Sequence, residues 1–558
     1  MNRKLIYAIL AGLLLRCLFI NSPLVDFFGG MRQTYTAGYT QFLLGNPINL
    51  ENIFHPHSII FNNNALELPI YNLFTVFLVR IFGDHEFAYR ATSLFFWLLS
   101  AIYLAWMSVR IWGKSQAVYI VWTFSLVPLS IFLGHYYHPE ILAVFLSICV
   151  VFHFYLYLNE KKPLDLIVTL LAMSLILMVR ASQVHLFFIM AILLFSKYKW
   201  RTFLQPWAYL ILLTLLPYAF WVFTSTDLTS GMRMNQFIGP LWIRFSPVFW
   251  GMIIFHRIGG ICLSPLGVPL LVLGIASGKN RKYRDLEFAM LYGAFIFFIL
   301  VSRACFHHPH YQSVLIVPGA IIIGRFLYQM AEGSLKDSWY PWWLAIPRWV
   351  KAVLLSVYIF LDCFVLYMFF MSPWDAEQMW NVLAGISIGN IVVAFIISQI
   401  VLIPLILFLW NQCQKNEERI SKSLPSIIIA LILLTGWAIL SPTYKIDTDY
   451  INAGKSVASF VSEDEKVVFI GKKDDGDPFL YYSGLTGWVT NTAIIYNDGW
   501  SVIDSYVDQG AEYLAVMKTN RYILADHQYS EKINRELEKL DVVFEDDYVR
   551  IYNLPHRT

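Results

Sequence analysis

The chain has 558 residues, 58% of them hydrophobic and 17% aromatic but only 14% charged, with a mean hydropathy of +0.56. Soluble domains carry about 25% charged residues, so the composition excludes an ordinary soluble protein and points to repeated passage through a bilayer. The formal charge of +3, from basic residues scattered along the chain, excludes the dense basic patch of a nucleic-acid binder.

Arg3 and Lys4 precede an apolar run over 5–20. No small-x-small cleavage pattern follows, so the run is expected to be an uncleaved first helix with its N-terminus cytoplasmic. The segment 21–85 is long and polar, with Asp26, Arg32, Gln33, Asn62–Asn64 and Glu67. Long connections of this kind are usually functional, and this one is expected to form an active-site shelf at the outer membrane face, carrying juxtamembrane helices. Apolar runs then follow at 90–109, 116–133, 141–158, 164–178, 184–195 and 204–223. A second outer loop is expected over 224–257, an eighth span from Gly259, a ninth ending before Cys305, and a tenth returning to Arg325. The tryptophan-rich segment 339–349 suits the membrane interface, and further spans are expected at 352–371, 382–410 and 425–440. Lys and Arg at 110–114, 161–162, 197–201, 279–284 and 415–422 mark the cytoplasmic turns. The total is about thirteen spans, which makes residues 1–443 a membrane domain and places the C-terminus outside.

From Tyr444 charged residues return. Helices are expected at 450–461 and 530–540, and short strands at 466–470, 513–516, 542–544 and 549–552. Residues 444–558 therefore read as an extracytoplasmic α/β domain of about 115 residues. Gly471 alone makes no phosphate loop. The six cysteines, Cys17, Cys149, Cys262, Cys305, Cys363 and Cys413, show no C-x-x-C spacing and read as apolar packing residues.

Ionisable residues gather at the outer helix ends: Asp26, Arg32, Glu67, His138, Glu140, Arg180, His256, Arg257, Arg303, His307, His308, His310 and Tyr311. A transporter would place such groups near the bilayer midplane; a boundary position suits a substrate with its head at the interface and its tail in lipid. Glu140 opens a helix, where a carboxylate also suits the free N–H groups of the first turn. Asp26 and Glu67 can serve as general bases against an apolar wall, or be solvated loop acids. Arg32, Arg180, Arg257 and Arg303 match phosphate oxygens, or anchor helices at the interface. His256 and His307–His310 could hold a metal, although no tight ligand spacing supports one.

On these residues the chain resembles the polytopic GT-C glycosyltransferases of the protein mannosyltransferase and lipid A aminoarabinose transferase type, closest to bacterial family-39-like members. Asp26-Phe-Phe-Gly-Gly-Met-Arg-Gln-Thr-Tyr-Thr-Ala37 is similar to their first-loop motif. Met31 stands where many relatives have Trp, and Tyr35 where many have Asp; the second departure moves the catalytic base to Asp26. Glu67-Leu-Pro resembles a Glu-Lys-Pro segment near the carrier phosphate, with Leu68 replacing the lysine. Glu140 matches the second-loop acid, and His256-Arg257 resembles a His/Arg pair near the carrier. The stretch from His310-Tyr-Gln to Pro318 resembles a helix start whose tyrosine reaches phosphate.

The resemblance implies a multi-pass protein of the bacterial inner membrane. It implies inverting sugar transfer from a polyprenyl-phosphate carrier to a glycan, lipid or protein acceptor, with Asp26 and Glu140 catalytic. Arg32, Glu67, His138, Arg180, His256, Arg257, His310, Tyr311 and Gln312 would bind carrier phosphate and substrate. A divalent metal stays open, with Glu67 and His256 as its ligands if one binds. The competing readings are a lipid-linked sugar flippase, an O-antigen ligase or polymerase, and a non-catalytic membrane scaffold. An oligosaccharyltransferase fits less well, because Trp342-Trp343 continues as Leu-Ala rather than Asp-Tyr-Gly.

Overall fold

Proline and glycine set the breaks in a largely helical chain. A computed structural model describes residues 3–25, 31–54, 67–225, 238–277, 284–332, 418–444, 448–471, 477–490, 499–518 and 527–555, with isolated positions 347, 446 and 495. These residues form two compact units. The first comprises Met1–Ile20, Ser93–Phe223 and Asp227–Thr443; the second comprises Asn21–Thr92, Thr224–Thr226 and Tyr444–Thr558.

The first unit is a helical bundle. Among the described residues five helices are long and apolar enough to cross a membrane: Glu86–Trp112, Glu140–Glu160, Ala181–Leu204, Pro206–Phe223 and Pro309–Ala331. A sixth arises if the bent pair Phe249–Cys262 and Gly267–Ala276 is one span. Two of the expected spans, 352–371 and 382–410, and the tryptophan-rich segment lie outside the described residues.

Other expected spans are helical but interrupted. The run at 116–133 is helix Lys114–Leu126, then Val127 extended (ψ 139°) before Pro128, then helix Pro128–Leu133. A residue preceding proline is pushed out of the helical region, which is why a continuous apolar run makes two helices. Helix Glu140–Glu160 ends at Lys161 in the left-handed conformation (φ 58°), ahead of Pro163. Residues 247–257 are expected in an outer loop, yet the segment 247–262 is helical and bends by 105° against Gly267–Ala276. The break falls at Ser264 (φ 74°), again ahead of a proline.

Small residues let the bundle close. A Cβ on Gly324 would lie 2.5 Å from the Cα of Ile120, so the backbones of Ile316–Ala331 and Lys114–Leu126 nearly touch. A Cβ on Gly134 would overlap the side chain of Arg16. Arg16 is buried, its guanidinium 3.7 Å from the Trp97 ring centroid, and it donates to the carbonyls of Gly12 and Ser125 and to Ser130 Oγ. Polar residues are thus not confined to the outer helix ends. A buried ion pair joins Arg325 to Glu287, and a buried hydrogen bond joins His153 to Asp165 beside the 160–163 turn. Hydropathy passes over these groups because pairing, which sequence does not display, is what lets them be buried.

In the second unit, strands β1 (Lys466–Ile470), β2 (Thr486–Thr490), β3 (Tyr513–Met517), β4 (Val542–Glu545) and β5 (Val549–Asn553) form one sheet in the order β2-β1-β3-β5-β4. β1 runs parallel to β2 and β3, and β5 antiparallel to β3 and β4. Alternate residues serve opposite faces, as strand geometry requires. Val467, Phe469, Ala515 and Ile551 pack with helix Thr448–Phe460 and Phe479, while Val468, Ile470, Leu514 and Val516 pack with Ile503 and Ile533. Both faces are covered, so β1 and β3 read as unbroken apolar runs.

The first-loop segment belongs to this same unit. It contains helices Met31–Gly45, Leu50–Phe54 and Ile70–Phe82. Asn72 Nδ2 donates to the Thr36 carbonyl (2.7 Å) and Thr40 Oγ1 (3.0 Å), holding two of these helices together. Val25 is buried in the sheet's core with Tyr450, Val457 and Phe479.

Candidate active site

Each unit carries one cluster of the residues singled out from sequence. In the helical unit the centre is Glu140, the first residue of helix Glu140–Glu160 and fully buried. Its Oε2 accepts from Arg180 Nε at 2.8 Å, and its Oε1 accepts from Ser313 Oγ at 2.5 Å and Gln183 Nε2 at 3.2 Å. Two chain breaks bring these donors together. Arg180 (φ −148°, ψ 89°) ends helix Pro163–Val179, and a tight 3-10 turn over Ala181–Val184 swings Gln183 back to the same carboxylate. His308 is extended ahead of Pro309, and the 3-10 turn Pro309–Leu315 that follows presents Tyr311, Gln312 and Ser313.

Aromatic rings surround this carboxylate network. The Arg180 guanidinium lies 5.2 Å from the Tyr311 ring centroid. His310 lies 4.5 Å from Tyr311 and 4.7 Å from His138, centroid to centroid. His138 is buried, and its Nδ1 accepts the backbone N–H of Glu140 at 3.2 Å. Gln312 Nε2 donates to the Cys305 carbonyl (2.9 Å), and Gln312 Oε1 is buried without a partner among the described residues. Arg257, expected as the last residue of the second outer loop, lies instead inside a helix. It sits fully buried in the π-helical segment Met252–Cys262 and donates to the Phe306 carbonyl at 2.6 Å. The extra residue in a π turn re-aims side chains and recurs at functional sites. Here it turns Arg257 toward the backbone just ahead of the His310 turn.

An apolar slot opens beside Glu140's partners. It is a narrow, partly open crevice between helices, with Val144, Ile148, Leu186, Ile189, Met290 and Val317 along its walls. Gln183 and Ser313, both bonded to Glu140, also line it, as do Ser147 and His185.

In the second unit Arg32 and Glu67 form an ion pair at 2.9 Å. The Arg32 guanidinium lies 5.0 Å from the Tyr35 ring, and the Tyr35 hydroxyl shares a 2.8 Å hydrogen bond with Tyr39. Burial, and then Tyr35 beside it, raise the Tyr39 hydroxyl well above the ordinary tyrosine range. Tyr35 is therefore a hydrogen-bonded aromatic residue at the position where many relatives carry an acid. Asp26 and the side chain of His256 lie outside the described residues. Among the described residues no three His, Cys, Asp or Glu side chains gather as a metal site. Glu67, named as a possible ligand, is engaged by Arg32.

Ser313 and Gln183 are the structural residues that sequence reasoning does not single out. Ser313 follows the Tyr311-Gln312 pair directly and Gln183 lies three positions past Arg180, so the signal was their nearness to residues already noted.

Residues 66–223 match the family model described as dolichyl-phosphate-mannose-protein mannosyltransferase. The fold is similar to the crystal structure of ArnT from Cupriavidus metallidurans bound to undecaprenyl phosphate: TM-score 0.60, 12% identity, over 98% of this chain and 97% of that one. The apo state of the same protein gives a TM-score of 0.59 at 12% identity over the same shares, 98% and 97%. The apo oligosaccharyltransferase of Archaeoglobus fulgidus gives 0.51 at 10% identity, over 92% of this chain and 69% of that one. No curated protein matches at the level of sequence.

Residues 66–223 thus carry a match to a mannosyltransferase family model, and the fold over nearly the whole chain is that of the ArnT structure.

Proposed function

We propose that this chain moves a sugar from a polyprenyl-phosphate carrier to a glycan, lipid or protein hydroxyl at the extracytoplasmic face of the bacterial inner membrane. The observation that carries the reading is the apolar crevice that Gln183 and Ser313, hydrogen-bond partners of Glu140, line together with apolar side chains. A prenyl phosphate has the same division, a long apolar tail and one anionic head.

The chemistry follows from the residues. Asp26 takes the proton of the acceptor hydroxyl as its oxygen attacks the anomeric carbon. The bond from that carbon to the carrier phosphate breaks, and the prenyl phosphate leaves with the electron pair. Attack opposite the leaving phosphate inverts the anomeric centre. Arg180, Arg257 and Tyr311 bind the departing phosphate, since guanidinium and phenol donors match its oxygens. Glu140 acts on Arg180 rather than on the sugar: it fixes the guanidinium through Nε. Arg32 and Glu67 act as a pair on the first loop.

The test is Asp26→Asn in the full-length enzyme, assayed for sugar transfer from a prenyl-phosphate donor at matched expression. Transfer is expected to vanish while donor binding persists. Unchanged transfer removes Asp26 from the mechanism.

A further inference from the structure

One buried cation of the helical unit lies outside the cluster around Glu140. Arg16 sits in the last turn of helix Arg3–Cys17 and is 1% exposed. In sequence it is a single charge inside the first apolar run. An ionisable group inside a membrane bundle is costly and as a rule marks function.

The contacts of Arg16 converge on the six-residue helix Pro128–Leu133. The break ahead of Pro128 leaves the last carbonyls of helix Lys114–Leu126 without intrahelical N–H partners, and Arg16 Nη1 donates to one of them, Ser125, at 3.1 Å. Its Nη2 donates to Ser130 Oγ at 2.9 Å in the first turn of the next helix, and Trp97 Nε1 donates to the same oxygen at 3.1 Å. Just past the other end of that helix, a Cβ on Gly134 would lie 2.4 Å from Arg16 Nε and 3.0 Å from Trp97 Cγ. Arg16, stacked on Trp97, therefore holds helix Pro128–Leu133 at its start and at its end.

From Gly134 the chain runs straight into the turn that ends at Glu140. The Gly134 N–H donates to the Ser130 carbonyl at 3.2 Å, and the His135 and Tyr136 N–H groups donate to the Phe132 carbonyl at 3.0 and 2.8 Å. The turn is thus built on the helix that Arg16 holds. The Tyr136 carbonyl accepts from Ser93 Oγ at 2.7 Å. The Tyr136 ring stacks 4.5 Å from Phe132 and 5.8 Å from His138, and His138 meets both the His310 ring and the Glu140 N–H.

We infer that Arg16 is a positioning residue for the Glu140–Arg180 cluster, acting through helix Pro128–Leu133 and the 135–139 turn. This rests on that cluster binding the carrier phosphate. The partners of Arg16 named here are two carbonyls, a hydroxyl and an indole face, a set that a planar fork satisfies and a lysine does not. Misplacement by about 1 Å can cost about 10²-fold in rate, so a turn carrying His138 and Glu140 gains from being anchored at both ends of the helix before it.

The experiment titrates the full-length protein in detergent with undecaprenyl phosphate. Four variants are compared with the unaltered chain: Arg16→Lys, Ser130→Ala, Arg180→Gln, and Gly274→Ala, which crowds Ile322 elsewhere in the bundle. Arg16→Lys is expected to weaken binding about tenfold, the scale of one lost hydrogen bond to a charged group, and Ser130→Ala to weaken it less but in the same direction. Both should speed hydrogen exchange in a peptide covering residues 134–138. Gly274→Ala is expected to lower the melting temperature with affinity and that exchange unchanged. Should Arg16→Lys misfold, Ser130→Ala decides. Unaltered affinity in Arg16→Lys and Ser130→Ala, with Arg180→Gln weakened, overturns the positioning role and spares the cluster. An equal loss in Gly274→Ala shows general loosening of the bundle and also overturns it. Full affinity in Arg180→Gln overturns the phosphate site and this inference together.

Discussion

At the scale of single residues, the carboxylate of Glu140 shows how a buried charge is tolerated and what it does in return. Both of its oxygens are occupied, by Arg180 on one side and by Ser313 and Gln183 on the other. The pair is almost wholly buried, with side-chain exposures of 5% for Arg180 and 1% for Glu140. Breaking a buried ion pair by removing one partner strands the other charge, at about 3–5 kcal/mol. Arg180→Ala should therefore destabilise the protein by about that amount in thermal or denaturant unfolding and abolish transfer. Pairing it with Glu140→Gln should restore much of the stability and none of the activity, because residues in direct contact do not contribute additively. Additive losses would mean that the two side chains are not coupled. The charged members of this cluster were legible in the sequence as outer-end residues. Ser313 and Gln183 were not: a neutral hydroxyl and an amide become partners of Glu140 only through the backbone breaks at Arg180 and Pro309.

At the scale of elements, hydropathy located most of the described helices, and the return of charge after Tyr444 located the α/β domain. Strands β1, β3, β4 and β5 were readable from short apolar and β-branched runs. Strand β2 was not, because Thr486-Gly-Trp-Val-Thr490 carries a glycine that ordinarily weakens a strand. In the structure that glycine is required, since a Cβ on Gly487 would overlap the carbonyl of Val467 on β1. The same logic governs Gly324, where the facing atoms are the backbone of Ile120 and cannot move aside. Gly324→Val should cost about 1–3 kcal/mol through overpacking, read as a lower melting temperature, whereas substitution at Gly45, which has open space around it, should cost far less. Helix Asp477–Ser483 yields a pH prediction. Burial, then Tyr482 and Asp84 beside it, raise the Tyr481 hydroxyl well above the ordinary tyrosine value. A raised value in the fold means that the neutral form is favoured there. Its stabilising contribution is present below about pH 10, the unfolded value, and is lost as pH climbs beyond it. Melting temperature should fall above about pH 10, and Tyr481→Phe should flatten that fall; an unchanged slope would show that this hydroxyl does not titrate with unfolding.

At the scale of the whole molecule, the chain divides its work between two kinds of solvent. The helical unit places a hydrogen-bonded carboxylate and its arginine beside an apolar crevice that Gln183 and Ser313 also line. The second unit ties the first loop to the C-terminal sheet through Val25, Leu24 and Tyr482. That membership was the least legible feature of all, because nothing in sequence links residues 21–25 to a helix some 450 positions later. The two ends of the chain instead meet through tertiary contacts that local pattern does not encode. The central claim, that the slot and its polar end take a prenyl phosphate, is tested most directly by an experimental structure of the full-length protein with a polyprenyl phosphate bound. The account predicts phosphate density within hydrogen-bond reach of Arg180, Arg257 and Tyr311, with the tail along Ile148, Leu186 and Val317. A lipid phosphate held elsewhere, with the slot collapsed or filled by protein side chains, would contradict it.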